Sequence, residues 1–355
     1  MSALSGTTSP NRGLRVIRAG SYLSLRYRTR YLTVSLLLAL ATSGLMVLQL
    51  GLGDFPISPG RVLATLQGQG TRLEEFIVYQ QRMPRALTAI VVGMAFGVSG
   101  ALFQCLTRNP LGSPDIIGFT QGASFGAVAT LLIWHGSPGQ VALGATAGGL
   151  LVSALVYVLA YRQGVQGYRL ILVGIGVTAV LSALVSWLLL RGELNEARFA
   201  FIWLTGSLNG AAWPSLWPVV AVTAVLLPVA FAMSRRLRLL EMGDETAQAL
   251  GVRVESSRLI LILVGTGLCA VAVSAAGPIS FIALAAPQIA RRVTRTASIG
   301  LVSSAVMGAL LLLFSDLAAQ RFFGDVNLPV GVATLSVGGA YLAWLIFHEN
   351  QAGRG

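Results

Sequence analysis

The sequence predicts an all-α integral membrane protein with about ten transmembrane helices. Three observations carry this. Fifty-five per cent of the 355 residues are hydrophobic and only 11% are charged. The apolar residues fall in runs of about twenty, long enough to cross a bilayer core as a helix. The breaks between runs are rich in Gly, Pro and Arg. A soluble domain would show shorter apolar stripes broken by polar faces. A membrane β-barrel would alternate polar and apolar residues over segments of about ten.

The runs lie near 31–51, 84–107, 115–135, 139–161, 168–190, 213–234, 256–276, 278–294, 299–318 and 329–348. Residues 1–30 hold six Arg and no acid, and are read as a basic cytoplasmic segment before a retained first helix. The run that follows is too long for a secretory signal and lacks a small-residue cleavage site. Residues 31–348 then form one transmembrane domain, and 349–355 a cytoplasmic tail.

The distribution of Arg tests this count independently. With the amino terminus inside, the expected cytoplasmic segments and adjoining helix ends hold 18 of the 25 Arg. Arg61, Arg72, Arg82, Arg85, Arg191, Arg198 and Arg321 fall outside. Cytoplasmic enrichment of basic residues is the usual rule. Removing a middle helix would move an Arg-rich loop outside, so ten helices with both ends inside is the consistent solution. The net charge of +12 thereby reflects topology and implies no nucleic-acid partner.

Every basic residue is Arg. Without Lys the chain cannot carry a standard P-loop for nucleotide phosphates or form a Schiff base. Cys105 and Cys269 sit in apolar runs without a CxxC spacing and are read as buried thiols. His135 and His348 lie at loop edges without companion ligands, so neither a metal site nor a resident cofactor is expected. Glycines spaced by four, at Gly93–Gly97, Gly122–Gly126 and Gly144–Gly148, suit close packing of helices in lipid.

Two interruptions are informative. In 235–255, Asp244 and Glu245 open a short helix with a negative first turn, which suits the helix dipole, and Gly251 suits its end. Leu239, Leu240, Met242, Ala247 and Leu250 give this stretch an apolar side, read as a docking surface for a cytoplasmic partner. In 104–124, Pro110 and Pro114 remove backbone donors. Non-helical backbone at membrane depth needs protein or a water-filled cavity around it, so this stretch is read as a pore-lining turn.

Six segments resemble the bacterial permease family that imports vitamin B12 and iron siderophores. They are Arg82-Met-Pro-Arg85, Asn109-Pro-Leu-Gly-Ser-Pro114, Trp203-Leu-Thr-Gly-Ser-Leu208, residues 239–252, Gly277-Pro-Ile-Ser-Phe281 through Arg292, and Leu328-Pro-Val-Gly331. They occur in the family's order across about 250 residues. Arg169-Leu-Ile-Leu-Val-Gly-Ile-Gly176 and Leu239-Leu-Glu-Met-Gly-Asp244 look most like the members that carry ferric enterobactin. Two positions depart from the pattern: Gln288 stands where His is usual, and Asn327 where Glu is frequent.

The resemblance implies the type II ABC importer permease fold in the cytoplasmic membrane. It implies a ferric siderophore cargo of catecholate type, with vitamin B12 or haem as the alternative. The implied partners are a cytoplasmic ATPase dimer that uses ATP and Mg, an extracytoplasmic siderophore-binding protein, and a second permease subunit, identical or similar. It assigns ATPase coupling to Leu240, Glu241, Met242, Gly243, Asp244, Glu245, Ala247, Leu250 and Gly251. Arg82, Arg85 and Arg321 would face the binding protein, because a guanidinium pairs bidentately with carboxylate. The inner gate would lie at Asn109, Pro110, Leu111, Gly167 and Tyr168. The rival class is an ion-coupled secondary transporter, for which the deepest ionisable residue is Asp316, read as interfacial. No catalytic arrangement is visible, and the chain is not expected to be an enzyme.

Overall fold

In the computed structural model, residues 14–19, 23–161, 167–296, 298–321 and 328–352 are described. The loop 162–166, Asn327 and the far ends of both terminal segments lie outside this set, as does the side chain of His348.

Two antiparallel strands, β1 (Leu14–Ala19) and β2 (Leu23–Arg28), pair Leu14 with Arg28 and Ala19 with Leu23. Helix α1 (Thr29–Gly51) follows directly. Three short pieces then lie at its far end. They are α2 (Pro59–Leu66), α3 (Arg72–Glu75) and a π-helical turn (Phe76–Arg82) that runs into α4 (Met83–Thr107). Thr71 caps α3 reciprocally with Glu74, satisfying donors that a helix start leaves orphaned.

A 3₁₀ turn (Pro114–Ile117) leads to α5 (Phe119–Leu132), then α6 (Pro138–Ala160), α7 (Gly167–Arg191) and the short α8 (Leu194–Leu204). Next come α9 (Trp213–Ala232), α10 (Ser234–Glu241), α11 (Asp244–Ala249) and α12 (Val254–Ala276). The chain closes with α13 (Ile282–Thr294), α14 (Leu301–Arg321) and α15 (Val330–Ala352).

Seven of these helices are long and apolar enough to cross a membrane: α1, α4, α6, α7, α9, α12 and α14. With α5, α13 and α15 they match the ten expected runs. Two are shorter than expected, for a local reason. Pro114 and the left-handed Gly118 delay the start of α5, and left-handed Phe281 delays α13. Their 14 and 13 residues span about 20 Å each, less than the core thickness of about 30 Å.

Helices α4, α12 and α14 form the centre, with most of their residues buried. The glycine pairs explain how closely the helices approach. A Cβ on Gly93 or Gly97 would collide with backbone of α14 at Gly308 and Ser304. Gly122 and Gly126 face Gly144 and Gly148 across the α5–α6 contact, where an added Cβ on Gly122 would lie 2.7 Å from Gly148 O. Lipid supplies no hydrophobic drive between helices, so such backbone contact is what holds them.

Three segments singled out in the sequence meet at the end of the bundle that carries α8. The Ser207 N–H donates to Ala276 O at 2.8 Å, and Gly331 N–H to Gly206 O at 3.0 Å. Gly206 and Gly277 both have positive φ, and a Cβ on Gly277 would sit 2.6 Å from Trp203 O. Only glycine fits both the conformation and the space.

Candidate functional site

At one end of the bundle, α10 and α11 form a bent helical pair. Gly243 joins them at φ 119° and ψ 152°, a backbone region that side chains with a Cβ rarely enter. The expected coupling residues divide into two faces. Leu240 and Ala247 are buried against the bundle, whereas Met242 (65% exposed), Glu245, Leu250 (59%) and Gly251 point outward.

The acidic residues of this stretch divide as well. Glu241 accepts a hydrogen bond from Cys105 Sγ at 2.9 Å. Asp244 takes Arg258 Nη2 on both carboxylate oxygens at 2.9 Å and also pairs with Arg108 Nη2. Arg108 Nε further donates to Leu240 O at 3.2 Å. Arg108 and Arg258 are not among the residues that the sequence singles out. Their one sequence signal is that Arg108 directly precedes the Asn109 turn.

That turn is tight. Asn109 Oδ1 accepts from Leu111 N–H at 2.9 Å, and Asn109 O accepts from Gly112 N–H at 2.9 Å. Pro110 and Leu111 are exposed. Tyr168, at the start of α7, is 75% exposed. Gly167 opens α7, and among the described residues no hydrogen bond or ring contact joins Tyr168 to the Asn109 turn.

At the opposite end, Arg82, Arg85 and Arg321 do border one cavity of about 330 Å³, together with Gln49, Asp54 and Gln320. Their environments differ sharply. Arg82 donates to the carbonyls of Leu50 (2.8 Å) and Phe55 (2.7 Å), locking the end of α1 and its following loop. Arg85 forms a bidentate pair with Asp316, at 2.9 and 2.8 Å. Asp316 is fully buried within the protein and also accepts from Gln49 (2.6 Å) and Gln320 (2.8 Å). Arg321 is exposed and has no hydrogen-bond or ion-pair partner among the described residues.

Two other residues have partners that the sequence does not show. His135 is not alone: its Nδ1 lies 2.7 Å from Glu196 Oε1, joining the α5–α6 loop to α8. Gln288 is buried, donates to Gln104 Oε1 at 2.6 Å, and so ties α13 to α4, with Gln104 donating in turn to Leu284 O. Both cysteines are buried and free, as expected.

Comparison with known proteins places this arrangement. The model of the FecCD transport family matches residues 37–348. The chain belongs to the FecCD transport family. It is similar to the ferric enterobactin transport system permease protein FepG of Escherichia coli (strain K12), 48% identical over 84% of this chain and 91% of that one. It also resembles the iron(3+)-hydroxamate import system permease protein FhuG of Bacillus subtilis (strain 168), 34% identical over 85% and 93%. Among solved structures, a metal-chelate type ABC transporter in an inward-facing conformation superposes with a TM-score of 0.81 at 27% identity, covering 90% of this chain and all of the other. This FecCD chain is therefore a multi-span membrane permease of the ABC transporter class.

Proposed function

We propose that this chain is the permease subunit through which an ABC importer carries a ferric siderophore of catecholate type across the cytoplasmic membrane. The observation that carries this reading is the 48% identity to the ferric enterobactin permease across nearly its whole length. Both termini would face the cytoplasm, where the α10–α11 end meets the ATPase pair. ATP and Mg would be handled wholly by that pair.

The geometry supports a division of labour within the coupling stretch. The exposed Met242, Glu245 and Leu250 offer the partner an apolar and acidic surface. Leu240, Ala247 and the Asp244 ion pairs hold α10–α11 to the bundle. Because Arg108 is bonded to Asp244 and is followed by the Asn109 turn, displacement of α11 moves the turn that leads into the membrane. A second permease subunit completes the pathway, and a binding protein delivers cargo at the end carrying Arg321.

Ion coupling through Asp316 fits poorly. A proton carrier needs a carboxylate that exchanges its charge during transport, whereas Asp316 is engaged by Arg85 and two glutamines. Uptake of radiolabelled iron chelates by cells lacking their own permease tests the cargo. A ferric catecholate should accumulate and be competed by unlabelled catecholate. Accumulation of only hydroxamate, citrate, vitamin B12 or haem would overturn the assignment.

A further inference from the structure

Between α4 and α5 the chain does something that a cytoplasmic loop does not. Arg108 touches Leu240 and Asp244 at the α10–α11 end, yet Gly118 is far from that end. A Cβ on Gly118 would lie 3.3 Å from Val152 of α6 and 3.4 Å from Thr178 of α7. Val152 is about eight residues from the α10–α11 end of α6, and Thr178 about eleven from that end of α7. At about 1.5 Å per residue this puts Gly118 roughly 12–16 Å inside a core of about 30 Å. The segment Pro114–Gly118 is therefore broken backbone at mid-membrane height.

Asp115 sits in this segment. Protein surrounds it at depth, yet its surface is open. Its carboxylate accepts from Ser113 Oγ at 3.3 Å and from Thr120 Oγ1. No Arg forms an ion pair with it among the described residues. A carboxylate facing lipid at the bilayer centre costs about 2.5–3.5 kcal/mol or more. Non-helical backbone there is tolerated only against protein or a water-filled cavity. Both constraints keep the open side of Asp115 off lipid, and a carboxylate with no cationic partner among the described residues is best solvated by water.

We propose that Asp115 stands in the wall of the water-filled translocation pathway at mid-membrane height, where it offers an acceptor to amide or hydroxyl donors on a passing chelate. The donor-recognising part rests on the importer reading above; the wall position does not.

The test is cysteine accessibility in proteoliposomes holding the permease with its ATPase. Asp115→Cys is labelled with a charged, membrane-impermeant methanethiosulfonate, with and without ATP. The buried Cys105 and Cys269 set the background, and Leu151→Cys, on the exposed apolar side of α6, serves as a lipid-facing control. Asp115→Cys should label in at least one nucleotide state and Leu151→Cys in neither. In uptake, Asp115→Asn keeps an acceptor oxygen and should stay within about threefold of wild type. Asp115→Leu should fall about tenfold, the worth of one lost hydrogen bond. An unreactive Asp115→Cys in both states, or wild-type uptake by Asp115→Leu, overturns the proposal. If the wild type imports no iron chelate while Asp115→Cys labels, the importer reading fails and the wall position stands.

Discussion

Arg108 and Asp244 lie 136 positions apart in the sequence and form an ion pair at the α10–α11 end of the bundle. Asp244 is shared with Arg258, so one carboxylate ties the end of α4 and the start of α12 to the start of α11.

The two arginines should behave differently because their exposures differ. The Arg108 side chain is 45% exposed and that of Arg258 is 10% exposed. An exposed pair contributes about 0–1 kcal/mol. Arg108→Gln should therefore leave membrane abundance near wild type while lowering uptake severalfold. Arg258→Gln should also lower thermal stability, by about 1–2 kcal/mol after discounting the buried-pair value for the half-exposed Asp244. Immunoblots, thermal unfolding in detergent and uptake assays check this. Equal loss of abundance in both variants would show a purely structural clamp.

The outward face of α10–α11 should carry the ATPase affinity. Burying an exposed Met or Leu is worth about 1.5–3 kcal/mol each. Met242→Asp with Leu250→Asp should weaken ATPase association by at least about a hundredfold and abolish uptake. Gly243→Trp should do likewise, because its φ of 119° strains any side chain and Trp adds bulk at the joint. Normal co-purification of the ATPase with all these variants would place docking elsewhere.

At the opposite end, Arg85 and Arg321 make separable predictions. Arg85→Ala leaves the fully buried Asp316 carboxylate without its cation, which should cost about 3–5 kcal/mol and deplete the protein from the membrane. Arg321→Glu should leave abundance unchanged and slow docking of the binding protein at low salt, with the difference shrinking at high salt. Association kinetics decide: an Arg321→Glu variant that docks at the wild-type rate in both conditions would remove this face from the interface.

Tyr168 heads α7 with most of its ring exposed. If the ring closes the inner end by excluding water, Tyr168→Ala should leak small solutes from proteoliposomes without ATP. A tight variant with normal uptake would mark Tyr168 as an interfacial anchor instead.

The ten spans, the packing glycines and the short acidic helix at Asp244 were legible because each is local: a run, a spacing of four, an acidic first turn. The amphipathic α8 and the short α2 and α3 escaped because an apolar-run criterion sees only spans. Pairings across long separations escaped as well. Nothing near Arg85 indicates that Asp316, 231 positions away, pairs with it, so the internal partner of an arginine read as a docking residue was not legible. Arg321, with the same sequence credentials, is exposed. Gln288 shows the converse. Its departure from the family pattern is visible in sequence, while its bond to Gln104 is not.

The central claim is tested most directly by reconstitution. The permease, a second permease subunit and the ATPase pair are placed in proteoliposomes with ATP inside, and the binding protein loaded with a ferric catecholate is added outside. The account predicts iron uptake that requires ATP and loaded binding protein, ATP hydrolysis stimulated by that loaded protein, and loss of both in Met242→Asp/Leu250→Asp. Uptake driven by a proton or sodium gradient without ATP or the ATPase would contradict it.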